Sequence, residues 1–180
     1  MTEETEPAEP TESARLESVG PESVGSPEQT GTTVEAGSLE PTPGRIVGYV
    51  PGAWDMFHIG HLNILRRARE RCDYLIAGVV LDEVLEVAKG RLPVVPHAER
   101  MEIVGAMDCV DEVVADSSSD KFVMWQQLHF DVLFKGDDWK GTPKGDRLEA
   151  GLGAVGVQVV YFPYTVHTSS TMLRQLIGGN

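Results

Sequence analysis

Residues 48–61 read Gly-Tyr-Val-Pro-Gly-Ala-Trp-Asp-Met-Phe-His-Ile-Gly-His, and the fold is organised around this stretch. The apolar run that ends at Val50 predicts a buried strand, Pro51-Gly52 ends that strand, and a helical pattern begins just after His61. Free backbone N–H groups and the positive end of a helix dipole meet where a strand leads into a helix in this way. Two imidazoles at the same junction add donors that can follow negative charge as it builds on a phosphorus atom. The stretch therefore predicts an anion site with His58 and His61 as donors.

The negative charge of the chain is concentrated at its N-terminus. The 180 residues carry a formal net charge of −13, and residues 1–44, with ten Glu and one Arg, account for −9 of it. This segment is rich in Glu, Pro, Ser, Thr and Gly, and its few apolar residues cannot bury enough surface to offset the entropy lost on ordering. We therefore predict a disordered acidic tail over residues 1–44 and a single domain over residues 45–180.

Charge and hydropathy exclude several classes of protein. Residues 45–180 carry the remaining −4, so no basic surface is expected and we predict no nucleic-acid partner. The chain has no run of about 18 apolar residues that would predict a membrane span, and its start lacks the apolar core of a signal peptide. Cys72 and Cys109 lie in apolar segments and are predicted to be buried, reduced thiols. These observations together predict a cytoplasmic protein.

Strands and helices are expected to alternate from Arg45 onwards. Apolar runs predict strands at 45–50, 73–81, 112–114, 132–135 and 157–162. Helices are predicted at 61–71, 96–107, 120–129, 147–154 and 169–177, with a short turn or helix at 82–87, a mobile loop at 88–95 and a polar loop at 136–145. Regular alternation of this kind predicts an α/β fold with a doubly wound, parallel, five-stranded sheet. Because such sheets bind ligands outside the carboxyl ends of their strands, we expect residues 51–61, 135–139 and 164–171 to share one rim.

Other ligands fit this rim less well. The dinucleotide motif G-x-G-x-x-G and the P-loop motif G-x-x-x-x-G-K-[ST] are both absent after the first strand. A zinc site would use His58 and His61, but the two lack the i, i+4 spacing on one helix and no cysteine cluster lies nearby. A purely structural role for the two histidines is the remaining alternative.

Residues 52–61 resemble the G-x-F-D-x-x-H-x-G-H signature of nucleotidyltransferases. Further matches are His-Ala-Glu-Arg at 97–100, Gly-Asp-Asp-Trp at 136–139 and Thr-Ser-Ser-Thr-Met-Leu-Arg at 168–174. Within that superfamily the chain is most similar to the glycerol-3-phosphate cytidylyltransferase group, over about residues 46–177. The resemblance implies a Rossmann-like enzyme that transfers CMP from CTP to a small phosphorylated acceptor, releases pyrophosphate and contributes to cell-envelope synthesis. It also implies Mg²⁺ bound with the triphosphate and, in common with many members, a possible homodimer.

The same resemblance implies roles for individual residues. Catalytic roles are implied for His58, His61, Lys89 and Arg100, with the lysine closing over the triphosphate from a mobile loop and the arginine clamping triphosphate or acceptor. The nucleotide is expected to contact Gly52, Ala53, Trp54, Gly60, Gly136, Asp137, Asp138, Thr168, Ser169, Ser170 and Thr171. The acceptor is expected to contact Asp55, Asp82 and Trp139. Gly60 would leave room for close approach of phosphate, and Mg²⁺ would need no dedicated protein ligands.

One segment departs from the pattern of the group. The group has R-T-E-G-I-S-T where residues 164–170 read Tyr-Thr-Val-His-Thr-Ser-Ser, and a tyrosine cannot replace a bidentate guanidinium at a triphosphate. This difference leaves open the identity of the acceptor and the choice between CTP and ATP. An ATP-dependent adenylyltransferase of the heptose-phosphate or flavin-mononucleotide type is one alternative. A nucleotide-binding regulatory module without turnover is another, although the intact His58, Gly60 and His61 argue against it, since sensing does not require transition-state donors.

Overall fold

A parallel sheet of five strands runs through the part of the chain that the structure, a computed structural model, describes: residues 44–163 and 168–178. The strands are β1 (Val47–Gly52), β2 (Tyr74–Val80), β3 (Glu112–Asp116), β4 (Val132–Gly136) and β5 (Gln158–Phe162). They lie side by side in the order β3-β2-β1-β4-β5, and every neighbouring pair is parallel. The chain therefore winds outwards in both directions from β1 and β4. This confirms the predicted doubly wound fold and puts its switch point between the carboxyl ends of these two strands.

Helices connect the strands. They are α1 (Ile59–Arg69), α2 (Asp82–Lys89), α3 (His97–Gly105), α4 (Lys121–Leu128), α5 (Pro143–Gly153) and α6 (Ser170–Ile177), and a 3-10 turn covers Asp137–Trp139. Helix α1 follows β1 directly, and β4 leads into the 3-10 turn. The start of α1 and the 3-10 turn therefore both border the switch point.

Two hydrophobic clusters cover the two faces of the sheet. Side chains along β2 alternate between them: Leu75, Ala77 and Val79 belong to one cluster, while Ile76 belongs to the other. Both clusters contain fully buried side chains, which explains why β2 reads as a continuous apolar run rather than an alternating one. Burial on both faces holds the carboxyl ends of the strands at fixed positions, and the site described below is built on those ends.

Several boundaries differ from the sequence prediction. Helix α1 begins at Ile59 and not at residue 61, because the His58 side chain caps it by accepting from the Gly60 N–H. Lys89 is the last residue of α2, and Gly90 ends that helix in the left-handed conformation with φ of 70°, so Lys89 does not lie in a loop. Pro96 precedes α3 as its N-cap instead of occupying its first turn. Helix α5 begins at Pro143 inside the predicted polar loop, because the Thr142 hydroxyl accepts a hydrogen bond from the Gly145 N–H at 3.1 Å and caps the helix.

Some predictions fall partly or wholly outside this description. The predicted disordered tail, except for Gly44, lies outside the described residues, and the domain boundary at residue 44 stays a prediction. Among the helices of residues 44–163 and 168–178, none combines the length and the apolar character that crossing a membrane would need. Cys72 and Cys109 are free, as predicted, but they are half-buried and not fully buried.

Candidate active site

A cavity of about 280 Å³ opens at the switch point. The turn after β1, the first turn of α1, the end of β4 with its 3-10 turn, and the start of α6 form its walls. Most predicted site residues contribute to the lining: Gly52, Ala53, Trp54, Asp55, His58, Gly60, His61, Lys89, Gly136, Asp138, Trp139, Ser170 and Thr171. The rim predicted for residues 51–61, 135–139 and 164–171 is therefore present in its described parts.

The turn after β1 is held in an unusual backbone conformation. Trp54 and Met56 have φ of 56° and 49°, in the left-handed region that side chains other than glycine seldom occupy. The buried Trp54 indole secures the turn, since its Nε1–H donates to the Gly78 carbonyl at 2.8 Å. Gly52 is required beneath it, because a Cβ there would lie 2.6 Å from the indole ring. The turn is thus shaped to present the residues that follow it.

His58 sits at the N-cap of α1 with its proton position defined by its neighbours. Its Nδ1 accepts a hydrogen bond from the Gly60 N–H at 3.0 Å, so the proton of the neutral ring is on Nε2. The Ser170 hydroxyl donates to the Asp55 carbonyl at 2.8 Å and lies 3.3 Å from His58 Nε2. The hydroxyl oxygen can therefore accept from Nε2–H. In this chain His58 donates to the Ser170 hydroxyl, which in turn donates to the Asp55 carbonyl in the turn.

His61 stacks on His58 with ring centroids 3.9 Å apart and an angle of 22° between the planes. Burial, followed by the charges of His58 and Lys89, lowers the pKa of His61 to about 3, and burial also lowers the pKa of His58. Both rings are therefore neutral near pH 7. His61 Nδ1 is buried and has no hydrogen-bond partner among the described residues. Two neutral imidazoles at a cavity wall can donate hydrogen bonds to an anion without bringing their own charge.

The cavity concentrates positive charge. Five lining side chains are cationic, Arg67, Lys89, Arg91, Lys135 and Arg174, whereas two lining side chains, Asp55 and Asp138, are carboxylates. This excess stands out in a chain whose net charge is −13. A cleft with an excess of one sign concentrates ligands of the opposite sign, so the cavity is suited to a polyanion.

Comparison with known proteins identifies the family. Residues 49–176 match the family described as Cytidylyltransferase-like. The chain belongs to the cytidylyltransferase-like family. The predicted relationship to nucleotidyltransferases is thereby confirmed, and the matched range includes every residue that lines the cavity.

Three relatives show which enzymes this cytidylyltransferase-like chain is similar to. It is 40% identical over 102 residues to an ethanolamine-phosphate cytidylyltransferase of Arabidopsis thaliana, an alignment that covers 54% of this chain and 24% of the plant enzyme. It is 33% identical to a glycerol-3-phosphate cytidylyltransferase of Bacillus spizizenii, which covers 73% of this chain and 95% of that enzyme. It is 29% identical to an FAD synthase of Thermococcus sibiricus, with 70% and 86% covered. The chain thus spans about a quarter of the plant enzyme and most of the other two.

A solved structure supports the fold. A lipopolysaccharide core biosynthesis protein of Thermoplasma volcanium superposes with a TM-score of 0.59, covering 69% of this chain and all of that chain. The two are 20% identical, so the likeness concerns the fold alone.

Gly60 lies against the His58 ring in this cytidylyltransferase-like site. A Cβ at residue 60 would lie 2.8 Å from Cε1 and 2.9 Å from Nδ1 of the His58 ring. The absent side chain therefore makes room for the imidazole that caps α1, and the expected close approach of phosphate at Gly60, which lines the cavity, stays a prediction.

Arg100 is a structural residue of the interior, and Asp82 is its ion-pair partner. Arg100 is fully buried and absent from the cavity lining. Its guanidinium donates to the carbonyls of Val95 at 3.0 Å, Val80 at 2.8 Å and Ala53, and it pairs with Asp82. Asp82 also accepts from the His97 N–H at 3.2 Å and does not line the cavity. The pair links the 91–95 segment to β2 and to the turn after β1, so the buried Arg100 guanidinium is not free to bind triphosphate or acceptor. The expected contact of Asp82 with the acceptor stays a prediction.

Asp55 lines the cavity, but its carboxylate is fully engaged. One oxygen accepts from the N–H groups of Val94 and Val95 at 3.0 and 2.9 Å, and the other pairs with Arg174. Asp55 is therefore a positioning residue, and its expected contact with the acceptor stays a prediction.

The remaining predicted residues include some that lie outside the cavity lining and one, Lys89, that belongs to it. Ser169 caps α6 by accepting from the Met172 N–H at 3.2 Å, and Thr168, Ser169 and Asp137 are absent from the lining. Lys89 does reach the cavity, from the end of a helix, and burial together with Arg91 and Arg100 lowers its pKa. Residues 164–167, where Tyr164 replaces the arginine of the group, lie outside the described residues.

Sequence reasoning assigned no role to four cavity cations, Arg67, Arg91, Lys135 and Arg174, although Lys135 lies within the predicted rim and Arg174 within a matching motif. Arg67 could have been found, because His61, Ile64 and Arg67 are three residues apart on one face of α1 and all line the cavity. Its guanidinium also donates to the Pro163 carbonyl at 3.1 Å. The presence of Arg91 and Arg174 in the cavity lining depends on contacts between distant segments, which no local pattern predicts.

Proposed function

We propose that the protein transfers CMP from CTP to a small phosphorylated acceptor, such as a glycerol-3-phosphate-like alcohol phosphate, and releases pyrophosphate. The observation that carries the proposal is the stacked, neutral pair of His58 and His61 on the wall of a cation-lined cavity at the switch point. Membership of the cytidylyltransferase-like family and two relatives named as cytidylyltransferases support the same reaction class.

In this reaction an acceptor phosphate oxygen attacks the α-phosphorus, and the bond from that phosphorus to the oxygen of the leaving pyrophosphate breaks. A phosphate oxygen that is already ionised carries no proton, so the step needs no general base. Positioning and neutralisation of charge are then the main requirements. The neutral imidazole N–H of His61 meets the second requirement as charge builds around the α-phosphorus, and the Nε2–H of His58 does so once it leaves the Ser170 hydroxyl. Arg174, Lys89 and Arg91, with the N-terminus of α6, are suited to hold the β- and γ-phosphates.

Mg²⁺ is part of this proposal. The ion usually reaches a site bound to the substrate phosphates, with water as most of its other ligands, and it would neutralise part of the triphosphate charge. The lining is compatible with that mode: Asp138 could approach a hydrated ion, whereas both oxygens of Asp55 are engaged. No cluster of three or more potential metal ligands occurs in the described part of the chain.

Adenylyl transfer is the second candidate. The similarity to an FAD synthase, whose alignment covers 86% of that enzyme, favours it, because FAD contains an adenylyl group. A cytoplasmic location, a homodimer and a product used in the cell envelope stay predictions.

A pyrophosphate-release assay tests the proposal. CTP and ATP are each supplied with glycerol phosphate, sugar phosphates, phosphocholine, ethanolamine phosphate and flavin mononucleotide. We expect release with CTP and an alcohol phosphate, and its loss in EDTA. His61→Ala should lower turnover by at least about a hundredfold, the scale of losing a strong transition-state donor. His129→Asn, at an exposed C-cap with φ of 49°, is the matched control. No release with any pair of substrates, or full turnover by His61→Ala, would overturn the proposal.

A further inference from the structure

Lys135 occupies the face of an aromatic ring inside the cavity. Its ammonium nitrogen lies 4.2 Å from the centroid of the Trp139 ring, and both residues line the cavity. The face of an indole ring is the preferred protein site for a ligand that carries an ammonium group. In this chain that position is already taken by a lysine of the protein itself.

Among the described residues no carboxylate forms an ion pair with Lys135, although Asp138 of the same cavity wall and Asp116 lie close enough to act on its charge. Asp116, a fully buried carboxylate close enough to act on Lys135, is bound through both oxygens to Lys121, at 2.8 and 2.6 Å. Burial and the Lys121 charge lower the pKa of Lys135 to about 8, which still leaves the amine mostly protonated near pH 7. A ligand that enters this part of the cavity therefore meets a positive charge.

The position of Lys135 in the cavity, on a different element from Lys89 and Arg174, indicates which ligand would meet its charge. Lys135 and Trp139 belong to β4 and the turn after it. Lys89 ends the helix that follows β2, and Arg174 of α6 is bound to the turn after β1. With the β- and γ-phosphates on the side of α2 and α6, as proposed above, the β4 side is left for the acceptor or the base.

We propose that Lys135 selects the acceptor by charge: it covers the Trp139 face that an ammonium group would need, and so favours acceptors whose end remote from the phosphate is uncharged. Polyol phosphates are accepted and amino-alcohol phosphates are rejected, because the lysine repels the second class and leaves no aromatic face for it. This inference rests on the proposed function. It chooses between the two acceptor chemistries named in the relatives, glycerol phosphate and ethanolamine phosphate.

Lys135→Met tests the selection. This variant keeps the length of the side chain and removes its charge, and Lys135→Gln serves as a second variant in case methionine disturbs the fold. Lys144→Met, at an exposed position on α5 outside the cavity lining, is the matched control. The measured quantity is the ratio of kcat/KM for glycerol phosphate to that for ethanolamine phosphate, with CTP as the donor. We expect a ratio of at least about ten in the natural protein, a fall of about tenfold in the Lys135 variants and no change in the control.

Calorimetric binding of the same two phosphates to the full chain, without nucleotide, separates this inference from the proposed function. We expect tighter binding of glycerol phosphate by the natural protein and similar affinities in Lys135→Met. If turnover is absent with every acceptor but binding follows this pattern, the proposed reaction fails and the selection stands. If turnover occurs with a ratio that the Lys135 variants do not change, the selection fails and the reaction stands. Equal binding of the two phosphates by the natural protein, or no binding of either, overturns the selection.

Discussion

Asp55 and Arg174 form an ion pair between residues 119 positions apart in the chain. The pair fastens α6 to the turn after β1, and the second oxygen of the same carboxylate holds the N–H groups of Val94 and Val95 at 3.0 and 2.9 Å. A single buried carboxylate therefore joins three segments that border the cavity. The arrangement of the site depends on it, and both of its oxygens are engaged within the protein.

Asp55→Asn should destabilise the protein strongly. The substitution leaves the Arg174 guanidinium without its buried anionic partner, which costs about 3 kcal/mol or more in the free energy of unfolding. Urea denaturation measures the change, and Asp108→Asn at an exposed position serves as the control. Adding Arg174→Met to Asp55→Asn should recover part of the loss, because the unpaired cation is then removed. A single variant as stable as the natural protein would show that the ion pair does not hold the segments together.

Arg100→Lys should affect stability more than nucleotide binding. A lysine cannot serve three carbonyl groups and Asp82 at once, so we expect a loss of about 2–4 kcal/mol in the free energy of unfolding. The KM for the triphosphate should stay within about threefold at a temperature where the variant is folded, since Arg100 does not reach the cavity. A stable variant whose KM rises by more than about tenfold would instead support the clamp predicted from the sequence.

Gly60→Ala should lower turnover by displacing the His58 ring. The added Cβ would lie 2.8 Å from the imidazole, so the ring must move and its hydrogen bond to the Gly60 N–H is disturbed. We expect turnover to fall by about tenfold or more, because a small misplacement of a catalytic group is costly. Gly151→Ala is the matched control: residue 151 is inside α5 with nothing within 4 Å of the new Cβ, and alanine there should slightly stabilise the helix. Unchanged turnover in Gly60→Ala would mean that the position of the His58 ring is not critical.

His61 should stay neutral well below pH 6.5 and make stability depend on pH. Its pKa is lowered to about 3 in the folded protein, so between that value and about 6.5 the unfolded chain binds the proton and the folded chain does not. The free energy of unfolding should therefore decrease as the pH falls through this range. Between pH 7.5 and 5.5 the natural protein should lose about 1 kcal/mol more than His61→Gln. Urea denaturation measures this difference, and NMR of the His61 ring should show no titration near pH 6.5; a midpoint there would refute the buried, neutral ring.

The parallel five-stranded sheet and most of the cavity lining could be predicted from the sequence, whereas the roles of several residues could not. His58 and His61 follow directly from the turn after β1, and Asp138 and Trp139 from the end of β4, because a topological rule brings carboxyl ends of parallel strands together. Arg100 and Asp82 are of the residue types that commonly contact phosphorylated ligands, so their sequence does not show that they are structural. Arg100 nevertheless donates to backbone carbonyl groups and pairs with Asp82. These contacts depend on how α3 packs against β2.

The alternation of strands and helices and the place of the two histidines follow from local sequence, because hydrophobic period and turn chemistry are properties of short stretches of chain. The stacking of Lys135 on Trp139, the ion pair of Asp55 with Arg174 and the fit of an imidazole against Gly60 depend instead on tertiary packing. Burial and the competition among donors for the same acceptors arise when distant segments pack together. They therefore decide which charges reach a ligand and which are used to hold the fold.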